Sequence, residues 1–144
     1  MTTVLCDTDF LLKITTEPLP ELSRLLGEFR LEIATLPRIE AELQGLSRSQ
    51  NQRTARKART ALQTIPQYPV KILNDRAGAS KKTDADVLLI DYAEKSRPTI
   101  IVATLDHSIL SVLQSKRLPY LTLRKDRPFF QGFESATYLL DKGH

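Results

Sequence analysis

Carboxylates stand at four separated places in this sequence where they could act together. The stretch VLCDTDFLLK begins as an apolar strand and then carries Asp7 and Asp9 two residues apart. A charge taken out of water is costly unless a cation, a hydrogen bond or a metal compensates for it. The apolar run TIIVATLD closes on Asp106 in the same manner as the first strand closes on Asp7. Two amphipathic helices add further acids. At about 100° per residue, Glu42 borders the apolar face of PRIEAELQGLS, set by Ile39, Leu43 and Leu46, more closely than Glu40 does. In TDADVLLIDYAEKS, Asp86 falls between Ala93 and Ile90, while Asp84, Asp91 and Glu94 share the polar face. Each acid has a plain structural use: Asp86 as partner of Thr83 in a capping box, Glu42 in a helix N-terminal half, Asp106 as an N-cap. Four acids facing one crevice would repel each other unless a cation sat among them. Oxygen-only ligands suit one or two Mg²⁺ or Mn²⁺ ions. No His and Cys cluster competes as a zinc site.

The elements that must position these acids alternate along the chain. Strands are expected over 2–7, 31–35, 70–73, 99–106 and 120–125, and helices over 20–30, 37–47, 50–65, 83–96 and 107–116. FLLK (10–13) reads as an apolar turn, 74–83 as a mobile loop, and PFFQGF as an edge strand or hairpin. Alternation of this kind predicts an α/β fold with a mostly parallel sheet, whose sites lie at the carboxyl ends of the strands.

The 144 residues suit one domain, 1–144. No apolar run approaches the roughly 20 residues of a membrane span, and the N-terminus has no basic and apolar leader pattern. With the single Cys6 reading as a small buried hydrophobe, a reducing, cytoplasmic location with no membrane partner is expected. The formal charge of +4 is unevenly placed. Between Glu42 and Asp75 there is no acid, yet Arg48, Arg53, Arg56, Lys57, Arg59 and Lys71 fall there. On a helical wheel, Ala55, Ala58, Ala61, Leu62 and Ile65 form one face, and Arg53, Arg56, Lys57 and Arg59 spread across the other. A solvated helix face usually mixes signs, so one-signed charge favours a phosphate-backbone track, which Lys81 and Lys82 extend.

Taken in order, VLCDTDFLL, PRIEAELQGL, ADVLLIDYA and VATLDHSIL resemble the PIN-domain nucleases, over roughly residues 3 to 125. The matching motifs are a strand followed by D-T-N, a helical E-L, A-D-x-x-[IL]-x-x-x-A, and T-x-D. The resemblance implies a three-layer sandwich around a mostly parallel central sheet. It places Asp7, Glu42, Asp86 and Asp106 in the family's acidic quartet, with Asp7, Asp86 and Asp106 on metal, Glu42 and Asp9 as further candidates, and Thr104 orienting the last acid. Asp9 stands where asparagine or serine is more usual, and Ser108 where some members carry another aspartate. The implied activity is Mg²⁺- or Mn²⁺-dependent endonucleolytic cleavage of single-stranded RNA, leaving 5′-phosphate and 3′-hydroxyl ends.

RKARTALQTI and LPYLTLRK resemble archaeal members similar to ribosomal-RNA processing endonucleases, which implies RNA and ribosomal precursor particles as partners. A toxin-type nuclease with an antitoxin partner, or a catalytically inactive RNA-binding assembly factor, stays open, as does a homodimer. A dehalogenase-type phosphatase would share DTD but needs a downstream lysine and a late aspartate pair. A receiver domain places its opening acids differently. His107, at a helix start and outside every motif, receives no catalytic assignment.

Overall fold

Strand β1 (Thr3–Cys6) is almost wholly buried and β4 (Ile100–Ala103) entirely so, as expected of strands covered on both faces of a parallel sheet. A computed structural model of the chain describes residues 2–65, 70–73, 84–96 and 99–132. The other strands are β2 (Glu32–Thr35), β3 (Val70–Ile72), β5 (Tyr120–Arg124) and β6 (Arg127–Gln131). They form one sheet in the order β3-β2-β1-β4-β5-β6. All neighbours are parallel except β5 and β6, whose hairpin turns at Lys125 and Asp126, both at positive φ. Two consecutive residues at positive φ are what a two-residue turn needs to match strand twist.

The helices are α1 (Thr8–Thr16), α2 (Pro20–Glu28), α3 (Pro37–Leu46), α4 (Gln52–Thr64), α5 (Ala85–Lys95) and α6 (His107–Ser115). From β1 the chain steps through β2 to β3 on one side, and then crosses to β4 and β5 on the other. Right-handed crossovers therefore put α1–α4 on one face and α5 and α6 on the opposite face. Contacts among α1, α3 and α4 agree with this layering. The reversal of direction falls between β1 and β4, where open α/β sheets leave a crevice at the carboxyl ends of the strands. Asp7 leaves β1 at that crevice, and Thr104 and Asp106 leave β4 there.

Local chemistry sets the helix ends. Pro20 and Pro37 start α2 and α3, where a missing N–H costs nothing. Helices α2 and α6 end alike: the N–H of Leu31 reaches the carbonyl of Leu26 and that of Leu118 reaches Leu113, around Arg30 and Arg117 at positive φ. Asn51 caps α4 by accepting from the N–H of Thr54 at 3.2 Å.

Helix α4 buries Ala55, Ala58 and Ala61 and packs on α1 and α3, so small side chains set how closely it approaches. Ala58, with no exposed surface, has no room for growth. Ala58→Leu is expected to lower stability by about 1–3 kcal/mol, read as an earlier urea midpoint with an unchanged slope.

Several sequence-based boundaries shift. FLLK is not a turn: Thr8–Thr16 is a helix that follows β1 with only Asp7 between them. Asp7 is its N-cap, accepting from the N–H of Phe10, so one residue serves both as strand end and as helix start. Strand β4 stops at Ala103, short of Asp106, which caps α6. PFFQGF does contribute to the antiparallel edge strand β6. The loop 74–83, with Thr83, Lys81 and Lys82, lies outside the described residues, as does 133–144.

Candidate active site

Asp7 is the centre of the arrangement, with 6% of its surface exposed. Its Oδ1 accepts from the N–H of Phe10 at 2.8 Å, and its Oδ2 accepts from the hydroxyl of Thr104, which is fully buried. The Thr104 oxygen in turn accepts from the N–H of Asp106 at 3.1 Å. One hydroxyl therefore joins the acid after β1 to the backbone of the residue that carries the acid after β4, across the point where the sheet changes direction. Sequence placed Thr104 beside the last acid; the structure gives it Asp7 as well.

Burial pushes the Asp7 carboxyl up to about 6, against the pull of its two hydrogen bonds and with the help of the negative charges of Asp9 and Asp86. Asp86 is also held above the usual carboxylate range, first by partial burial and then by Asp106, Glu42, Asp84 and Asp9. Asp86 is the common member: its charge acts on Asp7, and Asp106, Glu42, Asp84 and Asp9 act on it, although these acids come from separate elements of the chain. No ion pair among the described residues involves Asp7, Asp9, Glu42, Asp86 or Asp106.

Two sequence expectations need correction here. Glu42 does not border the core more closely than Glu40; it is exposed, and Glu40 is half-buried. Glu42 Oε2 accepts from the hydroxyl of Thr8 at 2.5 Å, which turns it toward the residue after Asp7. Asp86 is likewise exposed rather than inward among Ala93 and Ile90. With Asp84 in the N-cap position, Asp86 is the second residue of α5 and cannot complete a capping box from Thr83. Sequence reasoning missed Thr8 as the holder of Glu42 and Asp84 as a member of the acidic group. The signal for Thr8 was its position beside Asp7, and for Asp84 its spacing of two from Asp86.

Asp106 Oδ1 accepts from the N–H groups of Ser108 at 2.7 Å and Ile109 at 3.4 Å, so its N-cap use is real and coexists with its electrostatic effect on Asp86. His107 is exposed at the first position of α6, and Ser108 contributes its backbone N–H. Cys6, under Asp7, is fully buried and its thiol is pushed well up, which suits a packing role.

The donors fit a hard divalent cation in kind. They are all carboxylates, and the buried Asp7 carries two hydrogen bonds and no counter-charge. Among the described residues, no three of them already stand together as a set of ligands.

Arg53, Arg56, Lys57 and Arg59 are all exposed along α4 and form no ion pair with a described residue. A hollow of about 660 Å³, lined by Leu26, Leu31, Ile33 and Val70 among others, sits at the opposite ends of β2 and β3, away from this chemistry.

The architecture is similar to a solved structure of the PIN domain endonuclease Utp24, with a TM-score of 0.69 over 91% of this chain and 92% of that one. This chain has a PIN-domain fold. Sequence identity with Utp24 is 18%, so the likeness speaks for the PIN architecture alone. No family model matches the sequence, and no curated protein matches it significantly. Among the described residues, no helix of this PIN fold is long and apolar enough to cross a membrane.

Proposed function

We propose that the chain is a metal-dependent endoribonuclease that hydrolyses phosphodiester bonds in single-stranded RNA. The observation that carries this reading is the buried Thr104 hydroxyl, which donates to the Asp7 carboxylate and accepts from the backbone N–H of Asp106, with Asp86 within electrostatic reach of Asp7, Glu42 and Asp106. Asp7, Asp86 and Asp106 would hold Mg²⁺ or Mn²⁺, with Glu42 and Asp9 as further donors. When bound, such an ion supplies Lewis-acid polarisation of the phosphate and a water acidic enough to attack it near neutral pH. Thr104 fixes the direction of the Asp7 carboxylate, and Thr8 does the same for Glu42. The exposed cations of α4 draw the RNA backbone to a centre whose own charge would repel it. The resemblance of its motifs to archaeal RNA-processing nucleases supports ribosomal-RNA processing as the role, with ribosomal precursor particles as partner.

Asp106→Asn tests the assignment cleanly, because asparagine is as good an N-cap as aspartate and α6 should keep its start. Mn²⁺-dependent cleavage of a single-stranded RNA is expected to fall by more than the roughly 10–100-fold typical of groups that only support a ligand. The melting temperature should hardly move. Cleavage at the wild-type rate would remove Asp106 from the centre.

A further inference from the structure

A groove of about 300 Å³ opens beside the acids, between α1 and α4. Asp9 and Leu105 belong to both features: Asp9 is two residues from Asp7, and Leu105 sits between Thr104 and Asp106. Leu12 and Leu105, both half-buried, supply apolar surface. Of the two lysines in its lining, Lys13 is neutralised by Glu17 at 2.7 Å and Asp126 at 3.0 Å. Lys57 has no ion-pair partner among the described residues, so it is the lysine of the lining left without a direct partner, although the carboxylates of Asp9 and Glu17 line the same groove.

We propose that this groove holds the nucleotide next to the scissile bond, with the Lys57 ammonium on a phosphate and Leu12 and Leu105 against the ribose or the base face. The inference rests on the nuclease reading and adds to it a defined seat for the strand. An acidic centre repels phosphates, so the strand must be anchored by a cation just outside it. Lys57 stands at that position, in a groove that reaches Asp9 and Leu105. Arg53, one helical turn before Lys57, lies on the same side of α4. Arg56 and Arg59 are not in the groove lining, so the four cations of α4 divide into a seated one and a peripheral set. Leucine side chains offer no hydrogen-bond donor or acceptor, which predicts a subsite tolerant of base identity.

The test is equilibrium binding of fluorescein-labelled oligouridylate in EDTA, where no cleavage occurs. Lys57→Ala, a substitution that favours helix, is expected to weaken binding about tenfold and to flatten the log–log salt dependence by about 0.7. Lys57→Arg should restore most of the affinity. Arg59→Ala should weaken binding less than Lys57→Ala does. Oligouridylate containing 4-thiouridine should photocrosslink to peptides that carry Leu12 or Leu105. Equal losses for Lys57→Ala and Arg59→Ala, or crosslinks confined to other peptides, would overturn the groove. The two readings can fail apart. If the wild type cuts RNA with Mn²⁺ while Lys57→Ala binds as tightly as Arg59→Ala, the groove fails alone. If RNA crosslinks in the groove but is never cut, the nuclease reading fails and the RNA seat stands.

Discussion

Replacing Asp7 with asparagine is expected to abolish Mn²⁺-dependent RNA cleavage and to make the metal-free chain more stable. The two effects have one cause. Asp7 is buried at the crevice with its carboxyl raised to about 6 from an ordinary 3.8, chiefly by desolvation. A native-state value above the unfolded one means that the native chain holds the proton longer as pH rises. Below about pH 4 the carboxyl is protonated in both states, and this group's relative contribution to stability is fully present. Between about pH 4 and 6 the unfolded chain ionises first, so stability is lost across that window and the loss is complete above it. The full difference corresponds to roughly 3 kcal/mol. Asparagine carries no charge to desolvate and still accepts from the N–H of Phe10, but its amide must meet the Thr104 hydroxyl differently. A net gain of about 1–3 kcal/mol at pH 7 is therefore expected, shrinking to near zero at pH 4. Thermal melts of both proteins at pH 4, 5, 6 and 7 in EDTA measure it. A variant less stable than wild type at pH 7 would mean that Asp7 serves the fold first.

How much of this arrangement was legible in the sequence follows from which neighbours each residue has. Asp7 and Asp106 could be placed because both follow short apolar strands, and strand alternation alone predicts a parallel sheet with its crevice at the strand ends. That β1 and β4 are adjacent was not written in their local pattern; it is a property of the strand order β3-β2-β1-β4-β5-β6. Helix α1 was missed because Asp7 was read only as an acid ending a strand. As the N-cap it begins a helix at the next residue, leaving no turn between the two elements to signal the change. Glu42 and Asp86 were selected by angles measured from the apolar face, and both are exposed. A helical wheel refers every residue to the core under its own helix, whereas the partners of these acids lie on other elements. Glu42 takes its direction from Thr8 on a neighbouring helix, a contact between residues 34 apart in sequence. The basic stripe needed only its own helix: alanines at 55, 58 and 61 bury one face, and the cations are exposed as the wheel requires.

Addition of Mn²⁺ or Mg²⁺ is expected to reverse the energetics of the same cluster. In the metal-free chain, Asp86 is held above its ordinary range partly by Asp106, Glu42, Asp84 and Asp9, and Asp7 partly by Asp9 and Asp86. Each of these is a repulsion that a divalent cation would turn into an attraction, so the ion should bind the native chain far better than the unfolded one. At a hundred times its dissociation constant, one such ion would add about 2.7 kcal/mol of stability. In a chain of this size that is a rise of several degrees in melting temperature. Binding needs Asp7 ionised, so below about pH 6 it must displace a proton, and affinity should increase up to about tenfold per pH unit between 5 and 6 before levelling off. Calorimetry in buffers of different ionisation enthalpy would count that proton directly. Asp7→Asn should sharply reduce the proton release, leaving only what the raised Asp86 carboxyl gives up, and Asp106→Asn should weaken binding, even where no RNA is present. Millimolar Mn²⁺ that leaves the melting temperature unchanged at pH 7 would show that these carboxylates do not form a metal centre. A melting-temperature rise that survives Asp7→Asn and Asp106→Asn together would place the ion somewhere else on the molecule.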